Sequence, residues 1–151
     1  MISRKKPLAA LLLTGLLALV MGWTWERHRG GNFDRRLLAD GYRSVAVPAH
    51  DYELLPLRPG DRVDVLVVFD AVANNVRKKY AATLLQNVKV LGTRRSGKLD
   101  EKGVAYLMLN PIEAQYAALG PSQGETSVIL RKTGDAELHP FEVADFSKLF
   151  R

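Results

Sequence analysis

A long uncharged run near the N-terminus constrains this chain more than any other feature of its sequence. The run extends from Leu8 to Trp25 and follows a short basic leader that contains Arg4, Lys5 and Lys6. At ~1.5 Å per residue, a helix over this run covers about 27 Å, close to the hydrocarbon thickness of a bilayer. Tryptophans at its C-terminal end suit a membrane interface. The sequence therefore predicts a membrane-inserted helix within residues 1–25.

Two interpretations of this segment compete. A cleaved signal peptide requires small residues before the cleavage site, and the residues around Val20 fit that requirement poorly. The length of the run and the weak cleavage signal favour an uncleaved signal anchor. Arginines also follow the run, but a basic leader before a first span usually remains in the cytoplasm. We expect a single-pass membrane protein with its C-terminal domain outside the cytoplasm.

Charge and cysteine usage exclude several function classes. The chain has no cysteine, which excludes disulfides, thiolate metal sites and a lipidated cysteine. The net charge of +6 falls to +3 when the three basic residues of the leader are left out. Such a value is ordinary for a soluble domain, so charge does not indicate nucleic-acid binding.

Strand patterns begin after a polar linker, residues 26–40. Alternating apolar residues predict strands in YRSVAVP, RVDVLVVF, TLLQNVKVLGT, VAYLML and TSVILRK. The Gln86-Asn87 pair indicates a bulge or a kink in the third of these. The polar stretches AHDYELLPLRPGD and DAVANNVRKKYA are interpreted as loops. The prediction is a mainly β domain over residues 41–133, with small mixed or antiparallel strands and one short helix.

The short helix has clear boundary signals. Asn110 is the predicted N-cap, Pro111 occupies the first helical position, and Glu113 completes a capping box. Gly120 is the predicted C-terminal end. The apolar stripe that we expect to face the core comprises Ile112, Tyr116 and Leu119.

Two kinds of segment are candidates for contact with partners. The C-terminal tail, residues 134–151, carries apolar residues at helical spacing and is predicted to be a helix that docks on its own domain or on a partner. Basic clusters form the second kind, although solvated loops explain them more simply. The candidate residues are Arg77, Lys78, Lys79, Arg94, Arg95, Phe146, Leu149 and Phe150.

No catalytic constellation is visible. In the stretch LRPGDRVDVLVVFD, Asp61 and Asp64 flank Arg62, but their odd spacing on a strand directs the two carboxylates to opposite faces. Pro59 and Gly60 account for the turn before that strand without any chemistry. The three histidines are isolated, and neither a nucleophile motif nor a phosphate-binding loop is present. We therefore expect no enzyme, cofactor or metal, and structural roles for these residues.

Taken together and in order, five motifs resemble the Flp (Tad) pilus assembly family CpaB, also called RcpC. The motifs fall on Gly41–Val47, Pro59–Val65, Leu85–Leu91, Leu107–Ala114 and Val128–Arg131, within a match from about Leu38 to Lys132. The resemblance implies a membrane anchor and an extracytoplasmic domain of the β-clip (SAF-like) type. It also implies a non-enzymatic role that links the inner-membrane platform to the outer-membrane secretin of a type IVb pilus machine.

The chain departs from the family pattern at one point. Family members usually carry a further part of the SAF module before the Gly-x-Arg strand, and here only residues 26–40 precede it. The β-clip is then either incomplete or completed by another subunit, in a homo-oligomer or ring. The alternative function, from another class, is a periplasmic module that binds a glycan such as peptidoglycan, although the chain has few tyrosines and no tryptophan outside the anchor.

Overall fold

The computed structural model describes residues 32–73, 75–140 and 142–145. The chain divides into two compact units, residues 1–30 and 31–151, and the described residues belong to the second. No helix in these ranges is long and apolar enough to cross a bilayer. The predicted anchor, residues 1–25, lies outside the described residues, as do Phe146, Leu149 and Phe150.

The described residues form one antiparallel sheet, which confirms the prediction of a mainly β domain. The strands are β1 (Arg43–His50), β2 (Arg62–Ala73), β3 (Val76–Arg94), β4 (Lys102–Leu109), β5 (Glu125–Leu130) and β6 (Val143–Asp145). Five of them follow the order β1-β4-β3-β2-β5, and β6 adds to β3 at Tyr80, Ala81 and Ala82. The tail was predicted to be helical, but its residues 143–145 form this short strand.

The sheet curls until its two edge strands meet. The Thr126 hydroxyl on β5 donates a hydrogen bond to the Pro48 carbonyl on β1, at 2.5 Å. Beside it, His50 Nε2 lies 2.8 Å from Oε1 of Glu125. At this seam the two edge strands of the chain lie against each other through side-chain hydrogen bonds.

Alternate residues of the central strands fill the interior of the curl. Each fully buried valine or leucine contributes about 1.5–3 kcal/mol relative to an exposed side chain. The buried core comprises Val47, Ala49, Leu54, Leu57, Val63, Val65, Leu85, Val88, Val90, Ala105, Leu107, Leu109, Ala117 and Val128.

Two helices connect the strands. The one-turn helix α1 (Asp51–Leu54) lies in a stretch that was predicted to be a loop. Helix α2 (Pro111–Gln123) begins as predicted, because Asn110 Oδ1 accepts hydrogen bonds from the N–H groups of Ile112 and Glu113. The Glu113 carboxylate accepts in turn from the Asn110 N–H, at 2.8 Å. These bonds satisfy N–H groups that a helix leaves unpaired at its start.

The packing face and the end of α2 differ from the prediction. The stripe Ile112, Tyr116 and Leu119 is 65%, 53% and 58% exposed, whereas Ala117 and Gly120 are buried. A Cβ at Gly120 would lie 2.6 Å from Leu84 Cδ2, so this glycine provides close packing instead of ending the helix. The prediction was wrong because it assigned the core face to the largest apolar side chains, while the contact is made by the smallest residues.

Strands β2 and β3 extend beyond the rest of the sheet as a two-stranded arm, residues 69–80. β5 pairs with β2 only from Val63 to Val68, while β2 and β3 continue to pair as far as Ala73 and Val76. Asn75 has a φ of 61° and supplies the left-handed residue that a tight hairpin turn requires. The stretch DAVANNVRKKYA was predicted to be a loop, and that prediction was wrong.

Candidate functional site

The turn before β2 is fixed to the neighbouring strand by its backbone. Gly60 has a φ of 98°, a left-handed conformation that favours glycine. Its N–H donates to the Val90 carbonyl at 2.8 Å, and the Val90 N–H donates to the Asp61 carbonyl at 2.9 Å. The Asp61 carboxylate accepts from the Arg58 N–H at 2.7 Å, within the same turn. Asp61 therefore holds the turn together.

The side chains of Arg62 and Asp64, two residues apart on β2, both form hydrogen bonds with a bulge in β3. The register of the two strands shifts between Val63 and Val65, and Asn87 at the bulge has a φ of 55°. This confirms the bulge predicted at Gln86-Asn87. Asp64 Oδ1 accepts from the Asn87 N–H, and Arg62 Nη1 donates to the Asn87 carbonyl, both at 2.8 Å. The bulged residue thus keeps both of its backbone hydrogen bonds.

Asp64 also forms an ion pair with Arg131, which follows β5. Arg131 Nη1 lies 2.9 Å and 3.0 Å from the two carboxylate oxygens, and the arginine side chain is only 5% exposed. Its Nη2 donates to Asp135 Oδ1 at 2.9 Å and to the Glu137 carbonyl. Hydrogen bonds that Arg131 donates to Asp64 and Asp135 raise the pKa of Arg131, which remains a cation. The sequence did not pair Asp64 with this residue. It predicted, from their odd spacing on a strand, that Asp61 and Asp64 do not converge, and in the structure the two carboxylates have separate partners.

A second buried carboxylate, that of Asp51, accepts hydrogen bonds from the loop between β3 and β4 and holds it in place. Asp51 is fully buried and accepts hydrogen bonds from the N–H groups of Ser96 and Gly97, both at 2.9 Å. Arg95 Nε lies 3.5 Å from Oδ2, which gives this predicted partner-contact residue a structural role. Burial raises the pKa of Asp51, but the two N–H donors and Arg95 outweigh that effect, so its pKa lies below the usual value. A Cβ at Gly103 would lie 2.8 Å from Asp51 Oδ1, so glycine keeps this space open.

Two of the three basic residues of the arm contact a third carboxylate, that of Asp70. Arg77 Nη2 lies 2.8 Å and Lys79 Nζ 3.3 Å from Asp70, and these cations, Arg77 first, lower the pKa of Asp70. The register pairs Lys78 with Ala71, which places it on the opposite face of the arm from Asp70, together with the stacked rings of Phe69 and Tyr80. The cluster therefore belongs to strand β3 and not to a solvated loop.

A protein-family model matches most of the residues described above. The family model of Flp pilus assembly protein RcpC/CpaB matches residues 35–131, which include β1 to β5, both helices, and both members of the Asp64–Arg131 ion pair. The chain belongs to the RcpC/CpaB family. The family resemblance of the sequence motifs is thereby confirmed. No curated protein and no solved structure matches the chain significantly.

The polar groups of this RcpC/CpaB domain mostly bind one another. His50 and Lys102 both contact Glu125 and, with His50 first, lower its pKa. The Gln86 side-chain amide exchanges two hydrogen bonds with the backbone of His139, at 2.7 Å and 3.0 Å. Within residues 32–73, 75–140 and 142–145, no group of three or more potential metal ligands comes together.

The RcpC/CpaB domain also presents open surfaces. A groove of about 560 Å³ runs between α2 and β3, and its lining includes Leu84, Tyr116 and Leu138. A cleft of about 320 Å³ lies beside the arm. A third, of about 280 Å³, is lined by Phe33, Ser44, Arg94 and Tyr106. The domain therefore combines a network of internal hydrogen bonds with surfaces on which other molecules can bind.

Proposed function

We propose that this RcpC/CpaB chain is a non-enzymatic, membrane-anchored scaffold of a Tad (Flp, type IVb) pilus assembly machine. It links the inner-membrane platform to the outer-membrane secretin through protein contacts. The observation that carries the proposal is the family match over residues 35–131, which contains nearly all of the curled sheet. The anchor is the uncharged run in residues 1–25, and the domain lies in the periplasm as a β-clip of the SAF type, in a homo-oligomer or ring.

The carboxylates inside the domain are all engaged in internal contacts in the two cases described, and this supports a scaffold over an enzyme. Catalytic acids and bases need a partly free group next to a substrate site. Here the carboxylate of Asp51 is saturated by backbone N–H groups, and that of Asp64 by Asn87 and Arg131. These bonds stiffen the domain and leave its exposed faces for contacts with other subunits.

The attachment of the chain at the start of the domain suits an anchored scaffold. The Asp34 N–H donates to the Leu91 carbonyl at 2.7 Å. A Cβ at Gly92 would lie 1.9 Å from the Asn32 carbonyl oxygen, so the incoming segment lies directly on β3. Force on the anchor is then transmitted to the long strand β3.

Genetic complementation tests the scaffold. In a strain that lacks the gene, we expect no surface pili, and we expect the full-length chain to restore them. A matched version without residues 1–25, exported by an unrelated cleavable signal, should reach the periplasm and fail to restore pili. Normal piliation in the deletion strain would contradict the proposal, and full rescue by the unanchored version would contradict the role of the anchor.

Glycan binding is the second candidate function, and one observation favours it. Phe33 and Tyr106 meet edge to face at 5.2 Å, and both line the small cleft next to Arg94. Aromatic rings beside a polar group can bind a sugar. Co-sedimentation of the solubilised protein with purified peptidoglycan, lost in Tyr106→Ala, would favour this function over the scaffold.

A further inference from the structure

The arm has a strand edge that no described residue covers. β5 ends its pairing with β2 at Val68, opposite Glu125, and residues 70–73 of β2 continue past it. On the other side, these residues pair with β3. An uncovered edge of this kind is a template for pairing with another chain.

The direction of the backbone groups identifies the residues that offer hydrogen bonds. The Arg62 carbonyl accepts from the Arg131 N–H, and the Val68 carbonyl faces Gly124. Backbone groups alternate along a strand, so the even-numbered residues of β2 point toward the side of β5. Asp70 and Val72 therefore direct their N–H and C=O groups outward, and Val72 is 70% exposed.

The border of the cleft beside this edge has a small excess of positive charge. Its lining includes Asp70, Arg77, Lys79 and Glu125. Arg77 and Lys79 share the single carboxylate of Asp70, and Lys102 contacts Glu125. These three cations outnumber the two carboxylates, and a ligand with further carboxylates would complement them.

We propose that residues 70–73 accept an extended, carboxylate-bearing segment of another protein as an added strand. Backbone hydrogen bonds from Asp70 and Val72 bind the segment, and its acidic side chains enter the cleft beside Arg77 and Lys79. The proposal rests on the scaffold function and specifies the place and chemistry of one of its contacts.

A second copy of the chain and a lipid surface fit these observations less well. Two copies paired along this edge would bring two borders with excess positive charge together, which is unfavourable. A lipid surface could contact the basic residues, but it has no row of backbone N–H and C=O groups to pair with the open strand edge.

Binding of a synthetic strand tests the proposal. The probe is a capped, fluorescein-labelled eight-residue peptide that alternates valine with glutamate, and its matched control has glutamine in place of glutamate. Fluorescence anisotropy with the full chain in detergent micelles should show about tenfold tighter binding of the glutamate peptide, with the difference reduced by salt. Equal affinity for the two peptides, or no binding of either, would overturn the proposal.

Variants of the arm separate strand addition from simple charge attraction. Val72→Pro removes an outward N–H that β3 does not use, and proline is tolerated on edge strands, so we expect about a tenfold loss of peptide binding without unfolding. Val72→Thr, which retains the N–H, should bind as the natural chain does. Lys79→Glu should weaken binding by about tenfold. Lys78→Glu, the same change on the opposite face, should have an effect below about threefold.

Three outcomes would overturn the assignment of the partner. Equal losses in the two lysine variants would mean nonspecific attraction. Binding of vesicles rich in phosphatidylglycerol, in place of the peptide, would indicate lipid. Self-association that Val72→Pro abolishes would indicate a second copy. If the gene deletion abolishes pili while Val72→Pro leaves both pili and peptide binding intact, strand addition fails and the scaffold function stands.

Discussion

The substitution Asp51→Asn tests most directly how much the internal hydrogen bonds stabilise the domain. The carboxylate accepts one N–H from Ser96 on Oδ1 and another from Gly97 on Oδ2, and the residue is fully buried. Asparagine keeps the shape of the side chain but has only one acceptor oxygen. In either orientation of the amide, one backbone N–H then faces an NH₂ group.

The cost follows from these contacts. The change removes a hydrogen bond to a charged acceptor and leaves a buried donor unpaired, which together amount to about 2–3 kcal/mol. The Arg95 contact adds little, because the arginine side chain is 41% exposed. In urea unfolding of the full chain in micelles, followed by far-UV circular dichroism, the midpoint should fall by about 1 M or more. Asp100→Asn, an exposed residue of the same loop, is the matched control and should change the free energy of unfolding by less than about 0.5 kcal/mol.

The dependence on pH gives an independent check. The pKa of Asp51 is lower in the folded chain than in an unfolded one, where it is about 3.9. The stabilisation is therefore complete above about pH 4 and is lost as the pH falls through the folded-state pKa. The difference between Asp51→Asn and the natural chain should shrink below that pH. A difference that is negligible at pH 7, or one that stays constant into acid, would refute this reasoning.

Four further substitutions test other parts of the domain. Asp64→Ala leaves a buried arginine without its main partner, and thermal unfolding should show a melting temperature lower by about 10 °C or more. Gly92→Ala places a Cβ against the backbone of Asn32, so hydrogen exchange should show lost protection of the Asp34 amide with little change in the core strands. Leu119→Ser should change stability by no more than about 0.5 kcal/mol, whereas Ala117→Leu should destabilise by about 1–3 kcal/mol, because only the second faces the core. The opposite order for the last pair would restore the helix face that the sequence predicts.

Features encoded locally were predictable from the sequence. The cap at Asn110 and the turn at Gly60 depend on residues a few positions away. The bulge at Asn87 was also found, because polar residues interrupt an apolar strand there. The arm was missed because the residues around its asparagine turn are polar and include three consecutive basic residues, so they show no period of two.

Features that depend on tertiary pairing were not predictable in the same way. The partners of Asp51 lie 45 and 46 positions away in the sequence, and Arg131 is 67 positions from Asp64. No local pattern identifies which distant N–H group or cation a carboxylate will meet. The face of α2 was misassigned for a related reason: close approach to Leu84 requires a residue without a side chain, and a hydrophobic stripe gives no sign of that requirement.

The most direct test of the scaffold function is the recovery of both of its partners with one chain. The tagged full-length protein, expressed at its natural level in piliated cells and solubilised in mild detergent, is purified, and the components that copurify are quantified by mass spectrometry. The proposed function predicts that the secretin and an inner-membrane platform protein are both recovered, and that neither is recovered with the version that lacks residues 1–25. A monomer that carries neither component and sediments with peptidoglycan would contradict it.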